Sequence, residues 1–366
     1  MTFKFDVLTH VDPEMAPQPI EDQTYIHPMA LAVLPTYRCT AACEHCCFDS
    51  NPTLTQRIDL ATILDAIERV SRYPSMKLVS FTGGECFLLG KELDEAVAFA
   101  TSKGLRTRCV TNAYWARKYE AGHRRLGKLV DAGLQEISIS TGDNHMKFVA
   151  FESVINATIS ALELGLKTDV VVEVTKHRCI KGSDVSTHPR LQQVSEEKRK
   201  RLDILESPWM PMHHQKVIDQ PGAMLLDRHN VSNFKGCDSI LTTLALTPYN
   251  RIGLCCGLSR ELIPELTVDQ DDFETILKTA GNDFMKIWLS VDGPERILAW
   301  AASKDPTIDW EGKYAHRCHA CLALYKDPKV VKAIRENYRE RMGDVLLRHG
   351  MNLQRQGAAI LPTLHA

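Results

Sequence analysis

From residue 30 onward, short apolar runs alternate with stretches whose apolar positions recur at helical spacing. "ALAVL" (30–34) reads as a strand. Leu60, Ile63, Leu64, Ile67 and Val70 lie three and four apart, which predicts a helix over 59–73 with Asp59 as its N-cap. "KLVSF" (77–81) is the second strand and runs straight into Thr82-Gly83-Gly84-Glu85. A helix over 91–103 ends at Gly104 and leads to a strand at 105–111. A helix near 116–131 ends at Gly133, before a strand at 135–140. A third such unit has a helix near 147–164, Gly165 and a strand at 168–175. A polar helix near 189–203 precedes a last run at 204–210. Six strand-led units in a row predict a parallel sheet with right-handed crossovers. Doubly wound and barrel-like sheets both fit, and in either one ligands bind at the C-terminal strand ends.

The pattern changes after about residue 212. Residues 239–257 read as a hairpin turning at Pro248-Tyr249-Asn250. Less regular helical sequence follows to about 304. The last clear element is a helix from Pro328 to about His349, capped by Asp327 and ended by Gly350, with a mobile tail over 351–366. The expected organisation is an N-terminal arm (1–28), an α/β core (29–212), a small cysteine-bearing module (213–326) and a C-terminal helix with its tail (327–366).

A chain of 366 residues with 44% hydrophobic and 25% charged positions can bury a large core without covalent staples. Its formal net charge of −2 favours no nucleic-acid partner. The run Glu196-Glu197-Lys198-Arg199-Lys200-Arg201 is mixed in sign and reads as a solvated helix face. No apolar run reaches the roughly 18 residues of a membrane span. The first residues lack a basic-then-apolar signal. The expectation is a cytoplasmic protein with reduced thiols. Twelve cysteines in that setting point to metal or redox chemistry.

Cys39, Cys43 and Cys46 are spaced x3 then x2 in the loop leaving the first strand. Structural zinc wants four ligands in a closed tetrahedron, and only the adjacent Cys47 is near enough to be the fourth. Three thiolates suit a four-iron, four-sulfur cluster with one iron left open. This spacing resembles the signature of the radical S-adenosylmethionine (SAM) enzymes. Thr82-Gly83-Gly84-Glu85, at the end of the second strand, resembles the family's Gly-Gly-Glu segment.

The resemblance implies a partial (β/α)6 barrel and a cluster whose open iron holds the amino and carboxylate groups of SAM. It places His45 beside the adenine, and Gly83, Gly84 and Glu85 at the methionine ammonium. Asn112 and Ser140 fall at the methionine carboxylate and ribose. The activity implied is reductive SAM cleavage to a 5′-deoxyadenosyl radical that takes hydrogen from an unactivated carbon.

Cys318-x2-Cys321 is a metal-ligand pair by spacing. With Cys237 before the hairpin and Cys255-Cys256 at its end, the set resembles the first half of a SPASM module, or the shorter twitch module. Asn250 stands where that pattern has glycine, and Asn tolerates positive φ. The implied set is one auxiliary four-iron cluster on Cys237, Cys255, Cys318 and Cys321, with Cys256 the alternative to Cys255 and a structural zinc the alternative filling. Cys109 reads as core, Cys47 as packing beside the cysteine loop, and Cys86 as able to face the site.

Enzymes with such modules mostly modify peptides. The expected function is therefore oxidative modification or crosslinking of a ribosomally made peptide. The alternatives are dehydrogenation of a small molecule and, more remotely, a non-catalytic redox sensor. The segment before the first strand is too short for a fused leader-binding domain, so a separate leader-binding protein is one expected partner. A flavodoxin- or ferredoxin-like electron donor is another. No catalytic base is identifiable: Asp143, His145 and His177, near strand tips, read as surface or capping residues.

Overall fold

The alternation yields six parallel strands in a computed structural model that describes residues 27–209, 218–255, 258, 267–269, 277 and 280–360. They are β1 (Ala30–Val33), β2 (Leu78–Phe81), β3 (Arg106–Thr111), β4 (Glu136–Thr141), β5 (Lys167–Val174) and β6 (Leu202–Pro208). Each pairs in parallel with the next. Spatial neighbours follow chain order, so every crossover steps the same way. A doubly wound sheet would reverse direction once. Of the two sheets the pattern allows, the open barrel forms.

Helices α1 (Leu60–Ser71), α2 (Lys91–Ser102), α3 (Tyr119–Asp131) and α5 (Phe151–Glu163) cover the sheet. The short α4 (Asp143–Met146) follows β4. Asp59 caps α1 by accepting from Thr62 N at 2.8 Å. The apolar stripe then buries Ile63, Ile67 and Val70 completely. Leu31, Phe81, Leu93, Leu126 and Ile139 meet them in the core.

The polar segment near 189–203 is two single turns, α7 (Pro189–Gln192) and α8 (Glu196–Arg199), preceded by α6 (Gly182–Ser186). It has no apolar stripe, and α8 buries nothing, so no packing sustains a longer helix.

The sheet continues past the barrel. β7 (Thr243–Leu246) pairs in parallel with the free edge of β1. β8 (Arg251–Gly253) returns antiparallel to β7, and β9 (Thr267–Asp269) pairs with β8. The turn between β7 and β8 uses Asn250 at φ 56°, the left-handed value the resemblance requires there.

Among the described residues, the chain then forms α9 (Phe284–Lys304), α10 (Arg317–Lys326), α11 (Pro328–Asn337) and α12 (Arg339–Ile360). α9 kinks at Gly293 (φ 77°), before Pro294. A Cβ there would lie 2.3 Å from the Lys235 carbonyl oxygen. The single helix expected over 328–349 is two, and Gly350 does not end it. α12 runs on because Arg341 and Arg348 tie it to the buried Asp292 (3.2 and 2.8 Å), and Gly350 is not at positive φ. The expected tail is thus helical to Ile360. Cys256, residues 1–26 of the expected arm, and residues 361–366 lie outside the described residues.

Candidate functional site

The C-terminal ends of β1–β4 and β6 converge on a pocket of about 410 Å³. Cys39, Cys43 and Cys46 line it, with His45, Gly83, Gly84, Asn112 and Ser140. These eight were expected at the site, and the fold brings them together.

The cysteine loop is held by backbone. Cys39 N donates to Asn51 O (3.1 Å), and Gly84 N and Glu85 N donate to Thr36 O (2.8 Å) and Arg38 O (3.0 Å). The glycines are needed for this close approach: a Cβ on Gly84 would lie 2.2 Å from Arg38 O, and one on Gly83 2.6 Å from Thr36 O. Ala41 N and Ser50 N donate to the sulfurs of Cys39 and Cys46, each at 3.4 Å.

Burial pushes the Cys39 and Cys43 thiols up to about 12, and Cys46 adds to the rise in both. The buried Cys39 and Cys43 thiols become thiolates only against a cationic centre, which releases their protons. Sulfur-directed amide N–H groups are the bonds that tune iron–sulfur clusters. The donor set thus fits such a cluster. Among the described residues, no three His, Cys, Asp or Glu groups lie at the spacing of a single metal ion.

Glu85 stands behind the pocket lining. It is fully buried and is not among the pocket's lining residues. Its carboxylate accepts from Thr111 Oγ1 (2.9 Å), Asn112 N (2.9 Å) and Phe87 N (3.1 Å). Burial nevertheless pushes its pKa up to about 7. Glu85 shapes the end of β3, and that end aims Asn112. The Asn112 amide then donates to Thr40 Oγ1 (3.0 Å) and reaches Cys39 Sγ (3.5 Å).

His45 sits in a bracket that sequence reasoning missed. Its Nδ1 lies 2.6 Å from Glu173 Oε1 on β5 and 3.1 Å from the Asn144 amide. Burial alone would raise the Glu173 pKa, but the hydrogen bonds from His45 and Asn144 outweigh it and lower it. Gly142 makes room, since a Cβ there would lie 2.4 Å from Glu173 Cβ. His45 and Glu173 stand on opposite sides of the barrel sequence, and no local pattern signals the contact.

Of the other candidates, Asp143 does cap, accepting from Cys179 N and Ile180 N (2.7 and 3.0 Å). His177 is exposed beside Asp219. His145 is not a surface residue but is buried in the pocket wall. Cys109 is core. Cys86 is buried beneath the site, donating to Val110 O at 3.3 Å, and does not face the pocket.

Of the second cysteine set, Cys237 and Cys255, from the loops around the β7–β8 hairpin, come near Cys321 on α10. Burial, with Cys255 and Cys237 beside it, holds the Cys321 thiol well above its ordinary range. Burial works against the charge of Arg317, but Glu295, Cys237 and Cys318 outweigh it. Cys318 opens α10, where His316 Nδ1 accepts from its N–H (3.1 Å). His316 and Cys318 also line the pocket that holds the first three thiols.

These features define a partial-barrel protein with a thiol-lined ligand pocket at its strand tips. Residues 33–177 match the Radical SAM superfamily. YydG of Bacillus subtilis (strain 168), whose provisional name ties it to peptide biosynthesis, is 29% identical over 119 residues, 32% of this chain and 37% of YydG. The aligned part thus spans little more than a third of that relative. Native anSMEcpe, with bound AdoMet and a bound peptide, has a TM-score of 0.50 at 11% identity, over 84% of this chain and 99% of that one. BtrN in complex with AdoMet and 2-DOIA gives 0.41 at 13% identity, over 74% and 89%. The likeness to anSMEcpe concerns the fold. Residues 33–177 are similar to that superfamily's domain, and the family implies a four-iron, four-sulfur cluster and SAM. Among the described residues, no helix is long and apolar enough to cross a membrane.

Proposed function

We propose that this protein is a radical SAM oxidoreductase that oxidatively modifies a side chain of a ribosomally made peptide. Its core would be residues 29–212 and its auxiliary module residues 213–326. One observation carries the reading: a single pocket is lined by the Cys39–Cys43–Cys46 triad and by Cys318 of the second set. The name of YydG and the peptide bound to anSMEcpe support a peptide as substrate.

When bound, the cluster would supply the electron for reductive cleavage of SAM, and with it the power to take hydrogen from carbon. The chain's own residues bind and orient. Cys39, Cys43 and Cys46 would hold the cluster. Asn112, aimed by Glu85, presents its amide beside Cys39 toward the methionine end. His45, fixed by Glu173 and Asn144, presents its ring beside the adenine, and Ser140 its hydroxyl to the ribose. Cys237, Cys255, Cys318 and Cys321 would hold a second cluster as acceptor for the electron a substrate radical must lose. A flavodoxin- or ferredoxin-like protein would supply the first electron.

Anaerobic reconstitution tests this. About eight irons and eight sulfides per chain are expected, with 5′-deoxyadenosine formed on addition of SAM and dithionite. Intact SAM in a fully iron-loaded protein would refute the reading and leave a redox sensor.

A further inference from the structure

The cysteine loop is tied to the fold unevenly. At its ends, backbone bonds join Cys39 to Asn51, and Gly84 and Glu85 to Thr36 and Arg38. Its far side closes a turn on itself, where Cys46 N donates to Cys43 O (3.1 Å). His45 of that turn is 8% exposed and meets Glu173 of β5, which is 1% exposed. A carboxylate can only accept, so His45 Nδ1 carries the hydrogen of their 2.6 Å contact. Asn144 Nδ2 donates to the same oxygen at 2.7 Å, and Asn144 N donates to Glu173 Oε2 at 3.1 Å. Lys147 Nζ steadies the Asn144 side chain in turn, donating to its Oδ1 at 3.0 Å. The carboxylate thus has a fixed place between β5 and α4, and the loop brings the imidazole to it. A buried charge of this kind is stable only when fully paired. Its field does not help the thiols ionise: Glu173 is among the groups that push the Cys43 thiol up, while Lys147 acts the other way. What Glu173 gives the loop is position.

We propose that Glu173 is a positioning residue for the cluster site, a clasp by which β5 and α4 hold the Cys43–Cys46 turn in the shape that receives the cluster. The inference rests on the triad holding a cluster. Cys46 follows His45 directly and Cys43 lies just before it in the same turn, so a ring free to swing would carry both thiols with it.

The test is hydrogen exchange of segment 39–50, read by mass spectrometry of peptic fragments, with iron content after anaerobic reconstitution. Wild type, Glu173→Ala, Glu173→Gln, His45→Ala and the His45→Ala/Glu173→Ala double variant are compared, with circular dichroism as the control for folding. Before reconstitution, Glu173→Ala should speed exchange of the segment about tenfold, the size of one hydrogen bond to a charged group, and leave β3 within twofold. Glu173→Gln keeps an acceptor for His45 and should recover most of the loss. In the His45→Ala background, Glu173→Ala should change exchange by less than twofold, because the clasp acts through the ring. Iron in Glu173→Ala should fall below wild type by up to one cluster, about four irons per chain. If Glu173→Ala does not fold, Glu173→Asp, which draws the carboxylate back from His45, replaces it under the same thresholds. A wild type that takes up no iron would overturn the cluster reading itself. In an iron-loaded wild type, three results would each overturn the clasp alone: exchange in Glu173→Ala within twofold of wild type, an equal rise with His45 removed, or faster exchange with iron loading unchanged.

Discussion

Alanine at position 84 should damage the cysteine loop without touching a cysteine. The added Cβ would lie 2.2 Å from Arg38 O, 2.6 Å from Arg38 C and 2.7 Å from Tyr37 C. All three are backbone atoms, so no rotamer change relieves the contact. Gly84 is not at positive φ, so the cost is one of space. Ordinary contact begins near 3.4 Å, and the loop must therefore retreat by more than an ångström. That retreat breaks the bonds from Gly84 N to Thr36 O and from Glu85 N to Arg38 O. Overpacking costs about 1–3 kcal/mol, and each lost bond about 1 kcal/mol. The sum, about 3–5 kcal/mol, is a large share of a domain's stability. Arg38 precedes Cys39, so the displaced segment carries the first thiol. Guanidinium unfolding of the unreconstituted protein, with iron content after reconstitution, should show both losses. Gly127→Ala is the control: it lies on α3 with nothing within 4 Å of the new Cβ and should be neutral or stabilising by about 0.5–1 kcal/mol. A Gly84→Ala protein within about 0.5 kcal/mol of wild type and fully iron-loaded would refute the reasoning.

Glu85→Gln should uncover a pH dependence. The folded pKa of Glu85 is about 7 against an ordinary 4.5, so its contribution to stability is whole below pH 4.5 and fades as pH rises through 7. Between pH 5 and 8 the wild type should lose on the order of 3 kcal/mol relative to the Gln variant, and an unchanging gap in urea midpoints would count against this. At Asp292, burial favours the neutral acid, but Arg348, Trp288 and Arg341 outweigh it and lower the pKa. That contribution is present above pH 3.8 and fades as pH falls through the lower folded value. Asp292→Asn at pH 7 should cost about 2 kcal/mol, the worth of a hydrogen bond to a charged group, and expose α12 to trypsin at Arg341 and Arg348, whereas an unaltered digestion pattern would argue that the clamp is idle. Cys318→Ala should halve the iron, from about eight to about four per chain, and keep 5′-deoxyadenosine formation. Full iron content in that variant would remove Cys318 from the ligand set.

What could be read from the sequence depended on range. Helices and strands follow from spacing, and Asp59, Asp327 and Asn250 act where their chemistry suggests, because caps and turns are settled locally. The pocket's cysteines were legible for the same reason: three ligands fell in one loop. For Glu85 the motif gives position, not direction. Only the fold shows its carboxylate turned inward to Thr111 and Asn112. Glu173 was invisible, since it meets His45 only after strands far apart in sequence are laid side by side. The end of the helix expected over 328–349 was misread because Gly350 looks like a stop. What carries α12 through it is the tie to Asp292, which belongs to a different helix, α9.

Cys318 of the second set lines the pocket of the first three cysteines, and the sheet ties the hairpin that leads to Cys255 to the strand that leads to Cys39. β7 pairs with β1 residue for residue, from Ala30–Thr243 to Val33–Leu246. Leu34 N extends the ladder to Leu246 O (2.8 Å). β1 leads directly into the first cysteine loop, and β7 leads through the Asn250 turn to Cys255. Above the ladder, Tyr249 of that turn packs edge-on against Tyr37 at 5.7 Å, and Tyr37 stacks on Phe48 at 6.1 Å. Those last two residues bracket the first three cysteines in sequence. The hairpin is therefore joined to the loop by backbone hydrogen bonds and by aromatic contacts. An electron acceptor needs that rigidity, because transfer between buried centres falls steeply with distance. The proposed acceptor cluster would need Cys318 near Cys39, whereas a purely structural site would hold the C-terminal helices together at any distance from it.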